Sequence, residues 1–158
     1  MSKLQFDQLF AQYRERLHRL CFAVTGNGAD AEDALQEAFV DVHRGLPSFR
    51  GEAAPYTWLY RVAMRAAIRV KSRQQRHAGA DEPAGDRATP QVDPRGGLEA
   101  RGAVERALAQ LSAEQRSLLA LSVDGATQEE LAAILGVPVG TVWSRLHAAR
   151  KRLLSLLQ

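Results

Sequence analysis

"TQEELAAILGVPVGTVWSRLHAARKRLL", residues 127–154, decides the fold. In its first third Leu131, Ile134 and Leu135 recur at helical spacing and share one face. Thr127 and Glu130 stand three apart, the spacing of a capping box, and so mark the start of that helix. Gly136 ends it and Pro138 helps start the next. In this second helix Val142, Leu146, Ala149 and Leu153 form the packing stripe, which leaves Thr141, Ser144, Arg145, Ala148 and Lys151 pointing outward. Ala132 and Gly136 are small enough for the two helices to cross closely at a sharp turn. Short polar side chains lead and cations follow, which is the build of a recognition helix: short residues approach base edges while cations reach phosphates. The reading is a helix-turn-helix with its second helix against the major groove of DNA. Arg145, Arg150, Lys151 and Arg152 are the expected phosphate contacts, and His147 lies on the same reading helix.

Upstream, "LEARGAVERALAQL" and "SAEQRSLLALSV" continue the helical pattern, with Ser112 as a cap and Asp124-Gly125 as a turn. The pattern breaks at "HAGADEPAGDRATPQVDPRGG", residues 77–97, which holds one large apolar residue, Val92, among Ala, Gly, Pro and Asp. Such a stretch cannot bury a face and reads as a flexible linker. The expected organisation is therefore all-α: a helical module at 1–76, a linker at 77–98 and a second module at 99–158.

The first module offers three helices. Phe6, Leu9, Phe10, Tyr13, Leu17, Leu20, Cys21 and Val24 share one face of the first, which "GNG" at 26–28 stops. The second is expected to turn Ala34, Leu35, Ala38, Phe39 and Val42 inward and Asp33, Gln36, Glu37, Asp41 and Arg44 outward, with Asp30 as its N-cap. After the loop "PSFRGEAA", with Pro55 as a first-turn residue, the third buries Trp58 or Leu59, Val62, Ala63, Ala66 and Val70. Along another of its faces Arg61, Arg65, Arg69 and Arg73 recur every four residues beside Tyr56, Trp58 and Tyr60. Cations with exposed aromatics suit opened DNA, whose unstacked bases need a π-face.

Composition narrows the classes. Of 158 residues, 46% are hydrophobic, enough for a packed core, and no run approaches the roughly 20 apolar residues of a membrane span. A single cysteine, Cys21, excludes an internal disulfide framework and points to a reducing compartment. Net charge is only +3, but 61–76 and 145–152 carry cations without any acid, two stripes suited to a polyanion held at two places.

Three stretches carry a resemblance: "DAEDALQEAF" (30–39), "FRGEAAPYTWLYRVA" (49–63) and "LSAEQRSLLALSVDGATQEELAAILGVPVGTVWSRLHAARKRL" (111–153). In this order and spacing they resemble the sigma factors of bacterial RNA polymerase, in the compact two-domain form of the extracytoplasmic-function (ECF) group. The resemblance implies a cytoplasmic protein that directs promoter recognition, melting and transcription initiation. It implies that core RNA polymerase is met through the β′ clamp helices, by Asp33, Gln36, Glu37 and Asp41, and through the β flap. It assigns the −10 element to Phe49, Arg50, Tyr56, Thr57, Arg61, Arg65, Arg69 and Arg73, with capture of a flipped base. The −35 element falls to residues 139–152. It further implies control in trans by an anti-sigma factor. The family often has Asn and Asp where this chain has Arg65 and Arg69, and a basic residue in place of Trp143, so the promoter sequence is its own.

Two other classes fit the sequence less well. A stand-alone helix-turn-helix regulator needs a receiver or ligand domain, and residues 1–76 show no βα alternation. A metal-dependent nuclease could use Asp30, Asp33 and Glu37 on one helix face, but no His or Cys joins them and no nucleophile–base pair or phosphate-cradling glycine loop accompanies them. No catalytic residue, metal or cofactor is expected.

Overall fold

The computed structural model describes residues 2–51, 54–77 and 98–158, with side chains from residue 102 onward in the last stretch. The expected linker lies almost wholly outside them. Among the described residues all regular structure is helical. The first half is a three-helix bundle of α1 (Lys3–Thr25), α2 (Gly28–Gly45) and α3 (Pro55–His77). The second half comprises α4 (Leu98–Ala109), α5 (Ala113–Val123), α6 (Gln128–Leu135) and α7 (Val139–Leu157).

Local chemistry explains these limits. Ser2 caps α1 in a capping box with Gln5, and Gly26 closes the helix in the left-handed region at φ 86°, where an L side chain is disfavoured. Asn27, and not Asp30, caps α2: its Oδ1 accepts the Asp30 N–H at 2.9 Å, while its amide donates to the Asp30 carboxylate at 2.7 Å. The glycine run therefore both ends one helix and starts the next.

In the bundle Phe6, Leu17, Leu20, Leu35, Val42, Leu59 and Val70 are fully buried. Side chains of this size contribute about 1.5–3 kcal/mol each when removed from water. Phe39, expected inside, is 40% exposed, with its ring edge-on to Phe10 at 5.2 Å and to His43 at 4.6 Å. The inward stripe of α2 is filled by Ala31, Ala34, Leu35, Ala38 and Val42, all buried, which leaves position 39 at its edge.

A 3-10 turn, Leu46–Ser48, leads from α2 to the loop before α3. There Phe49 and Trp58 close around Phe6, with centroid separations of 5.3 Å and 5.2 Å to Phe6 and 5.0 Å to each other. Gly45 is needed for this fit, since a Cβ there would stand 3.0 Å from the Trp58 ring.

The two halves share one apolar core. α1 packs on α5 and α3 on α6, so that Leu118, Leu121, Leu131 and Ile134 join the cluster of the first bundle. Three arginines stitch the seam. Arg19 grips Asp124 through Nε at 3.0 Å and Nη2 at 2.7 Å. Arg116 donates from Nε to the Ala23 carbonyl at 2.7 Å, and Arg61 from Nε to the Ala133 carbonyl at 2.6 Å.

Candidate nucleic-acid interface

The reading unit is α6–α7. Thr127 caps α6, accepting the Glu130 N–H at 3.1 Å while the Glu130 carboxylate accepts the Thr127 N–H at 3.3 Å. Gly136 ends α6 in the left-handed region, at φ 69°, and its N–H and that of Val137 both bond to the Ala132 carbonyl. The chain thus reverses within a few residues, and Pro138 leads into α7. Val142, Leu146 and Ala149 anchor α7, while Leu153 is half-buried.

The outward face of α7 carries Ser144, Arg145, His147, Ala148, Arg150, Lys151 and Arg152, all exposed, and Thr141, which is half-buried. Two of its cations are braced against α5: Arg145 pairs with Glu114 at 2.9 Å, and Arg150 donates to the Ser122 hydroxyl at 3.0 Å. The bracing holds them at the flank of the reading face. Trp143, noted in the sequence only as standing in place of a basic residue, is on this face too. It is 57% exposed and lies parallel to His147, with centroids 5.5 Å apart and planes within 2°.

A second cationic surface lies on the first bundle. A cleft of about 660 Å³ opens between the loop after α2 and α3, lined by Phe49, Arg50, Trp58, Arg61, Arg65 and Arg69 among others. Its volume is in the range of small-ligand sites. Arg50 and Arg65 are exposed there.

The other residues expected at this surface are partly engaged. Thr57 and Tyr60 are buried, not exposed, because the seam with α6 and the side of α1 cover the start of α3. Burial raises the Tyr60 pKa above the ordinary tyrosine value. Tyr56 stacks on Tyr13 at 6.2 Å, and the Glu130 carboxylate beside its hydroxyl raises its pKa as well. Arg61 is held by α6 as described.

Arg69 and Arg73 turn toward α2. Arg69 pairs with Asp41 and, at 3.6 Å, with Glu37, and Arg73 pairs with Glu37. Two sets of residues that the sequence assigned to different ligands therefore form one network. Asp33, Gln36, Glu37, Asp41, Arg69 and Arg73 line a single shallow groove of about 700 Å³. Asp33 and Gln36 are exposed at its rim.

Of the seam residues, Arg61 was a −10 candidate, whereas Arg19, Arg116 and Asp124 were not visible as functional candidates. Asp124 raises the Arg19 pKa by its hydrogen bonds, and burial lowers that of Arg116. Among the described residues no three His, Cys, Asp or Glu side chains gather as a metal site would require. No helix there is long and apolar enough to cross a membrane.

Comparison with known proteins matches residues 9–77 to Sigma-70 region 2 and residues 101–153 to Sigma-70, region 4. The ECF RNA polymerase sigma factor SigM of Mycobacterium tuberculosis is 40% identical over 157 residues, covering 99% of this chain and 79% of that protein. The ECF RNA polymerase sigma-E factor of Escherichia coli is 34% identical over 160 residues, covering 92% and 83%. Among solved structures, the sigma factor RpoE in complex with the anti-sigma factor NepR from Bartonella quintana has a TM-score of 0.72 at 25% identity. That match covers 97% of this chain and 96% of the other. CnrH in complex with the cytosolic domain of CnrY shares the fold at a TM-score of 0.69 and 20% identity, covering 99% and 89%.

Proposed function

This chain belongs to the extracytoplasmic-function group of sigma-70 RNA polymerase sigma factors, and we propose on that footing that it binds core RNA polymerase and directs promoter recognition, melting and initiation. Residues 1–76 act as the polymerase-binding and −10 unit, residues 99–158 as the −35 unit, and 77–98 connect them. The observation that supports this most is the pairing of a helix-turn-helix whose outer face is small, polar and cationic with a separate arginine-lined cleft.

On this reading Asp33, Gln36, Glu37 and Asp41 meet the β′ clamp helices, and the β flap is met by the second unit. Opened −10 DNA lies along α3, with a flipped base in the cleft beside Trp58, Arg50 and Arg65. Thr141, Ser144, His147 and Ala148 face the −35 base edges, and Arg145, Arg150, Lys151 and Arg152 face phosphates. The chain performs no phosphoryl chemistry itself; that belongs to the polymerase. It works in the cytoplasm under an anti-sigma factor.

Engaging −10 DNA through α3 requires the seam to open, because α6 holds Arg61 at the Ala133 carbonyl and sets Glu130 beside the Tyr56 hydroxyl. The closed form, with Arg61 and Tyr56 against α6, is the unengaged state.

Reconstitution with core polymerase tests the proposal. The holoenzyme is expected to start transcription at defined sites, and the free chain to bind promoter DNA poorly. Four neutralised phosphates on the −35 side give a log–log salt slope near −3.6, from about 0.9 per phosphate. Failure to co-purify with core polymerase, or tight promoter-specific binding by the chain alone, would count against it.

A further inference from the structure

We infer that Trp143, held flat against His147, reads the C5-methyl group of a thymine in the −35 element. The inference rests on the function proposed above. Trp143 is the largest apolar side chain left open to water on α7, 57% exposed in its second turn, where a recognition helix makes its base contacts. Gly140, Trp143, Ser144 and His147 lie three and four apart and share one face. The backbone at Gly140 is bare: a Cβ built there meets nothing within 4 Å. The indole therefore stands beside a gap in the side-chain surface, and the parallel stack on His147 limits its rotation.

The chemistry selects the ligand. Base edges in the major groove are hydrogen-bond donors and acceptors, apart from one apolar group, the thymine methyl. An indole has no acceptor and one N–H donor, so its wide apolar surface has only that methyl to bury against. Thymine also offers O4 as an acceptor next to the methyl. A lysine or arginine in this place would favour the guanine acceptors instead.

The experiment uses the reconstituted holoenzyme. A −35 element is first selected from a random library, and each thymidine in it is then replaced singly by deoxyuridine, which removes the methyl alone. At one position at least, wild type is expected to lose about fourfold in open-complex formation, the transfer value of one methyl-sized group. Trp143→Ala and Trp143→Lys should be indifferent to that replacement. His147 acts as a positioning residue: His147→Ala should shrink the deoxyuridine effect and His147→Phe restore it.

The inference is overturned if no thymidine is selected in the −35 element, if no replacement matters, or if the effect survives in Trp143→Ala. The deoxyuridine scan of wild type stands whether or not a variant folds. A holoenzyme that selects no sequence at all overturns the proposed function, and this inference with it. One that selects a promoter but ignores the methyl overturns this inference alone.

Discussion

The bundle α1–α3 and the bundle α4–α7 treat their charges in opposite ways. In the first, three arginines of α3 are already engaged: Arg69 and Arg73 lie on Glu37 and Asp41, and Arg61 on a carbonyl of α6, while Arg65 is exposed. In the second, α7 leaves Lys151 and Arg152 exposed and braces Arg145 and Arg150 at its flank. Their apolar core, by contrast, is common: Phe6, Leu17, Leu20, Leu35 and Leu59 of the first and Leu118, Leu121 and Leu131 of the second are all fully buried in one cluster. The lesson is one of readiness. On the function proposed above, the helix-turn-helix would present its DNA face as folded, whereas Arg61, Arg69 and Arg73 of α3 would first have to be released from α2 and α6.

The sharpest break in this comparison falls on the shared core. Phe6→Ala removes the ring that Phe49 and Trp58 close around, at a cost of about 3–5 kcal/mol. Thermal unfolding by circular dichroism should show most of the helicity lost at a far lower temperature. Arg116→Met is expected to cost less, about 1–3 kcal/mol, because it leaves carbonyls of Ala23, Leu108 and Leu111 without the guanidinium. A lower urea midpoint at unchanged m-value is the expected result. A neutral outcome would mean that water replaces the guanidinium and that the seam is wet.

Cys21 reports on the dryness of the first bundle. Its thiol is buried, and burial pushes its pKa up to about 12. The native thiol stays protonated where the unfolded one ionises. Stability should therefore be intact below about pH 9 and fall above it, by up to about 1.4 kcal/mol per pH unit until about pH 12. Denaturant midpoints at pH 8 and pH 10 measure this, and Cys21→Ala should remove that part of the slope. Native Cys21 should also resist thiol reagents, since the thiolate is the nucleophile.

Much of this was legible from residue order alone. The cap at Ser112, the capping box at Thr127–Glu130, the helix end at Gly136 and the buried stripes of α1, α3 and α7 follow from neighbours in sequence. What was not legible depends on partners far along the chain. Periodicity could place Arg61, Arg69 and Arg73 on a face of α3 but could not say that α2 and α6 would cover it. Thr57 and Tyr60 read as available for the same reason. Arg19 and Asp124 are 105 residues apart, and nothing local to either names the other. Trp143 was seen only as a missing cation, because spacing does not show whether a ring is free.

Releasing α3 from α2 is a smaller change, read in DNA binding. Glu37→Gln with Asp41→Asn frees Arg69 and Arg73 from their carboxylates. The isolated chain should then bind single-stranded DNA with a log–log salt slope steeper by about 0.7 per freed cation. Capture of core polymerase should weaken at once, because the same carboxylates are proposed to meet it. An unchanged slope would show that the pairs do not restrain the arginines in solution.

The smallest effect belongs to the Arg19–Asp124 pair, and it bears most directly on the seam. Arg19 is half exposed, so solvent screens the pair, and exposed pairs are worth about 0.2–1 kcal/mol even with good geometry. Arg19→Ala with Asp124→Asn should therefore leave the unfolding midpoint almost unmoved. It should still raise the open population by up to about fivefold, since 1 kcal/mol is that ratio at room temperature. Small-angle scattering at low salt should show a larger mean radius of gyration for the double variant. Added salt should bring wild type toward the same value, because it screens the one contact the variant lacks. If scattering is identical at every ionic strength, the apolar contact of α1 with α5 and of α3 with α6 closes the molecule by itself. Opening would then have to come from polymerase binding alone.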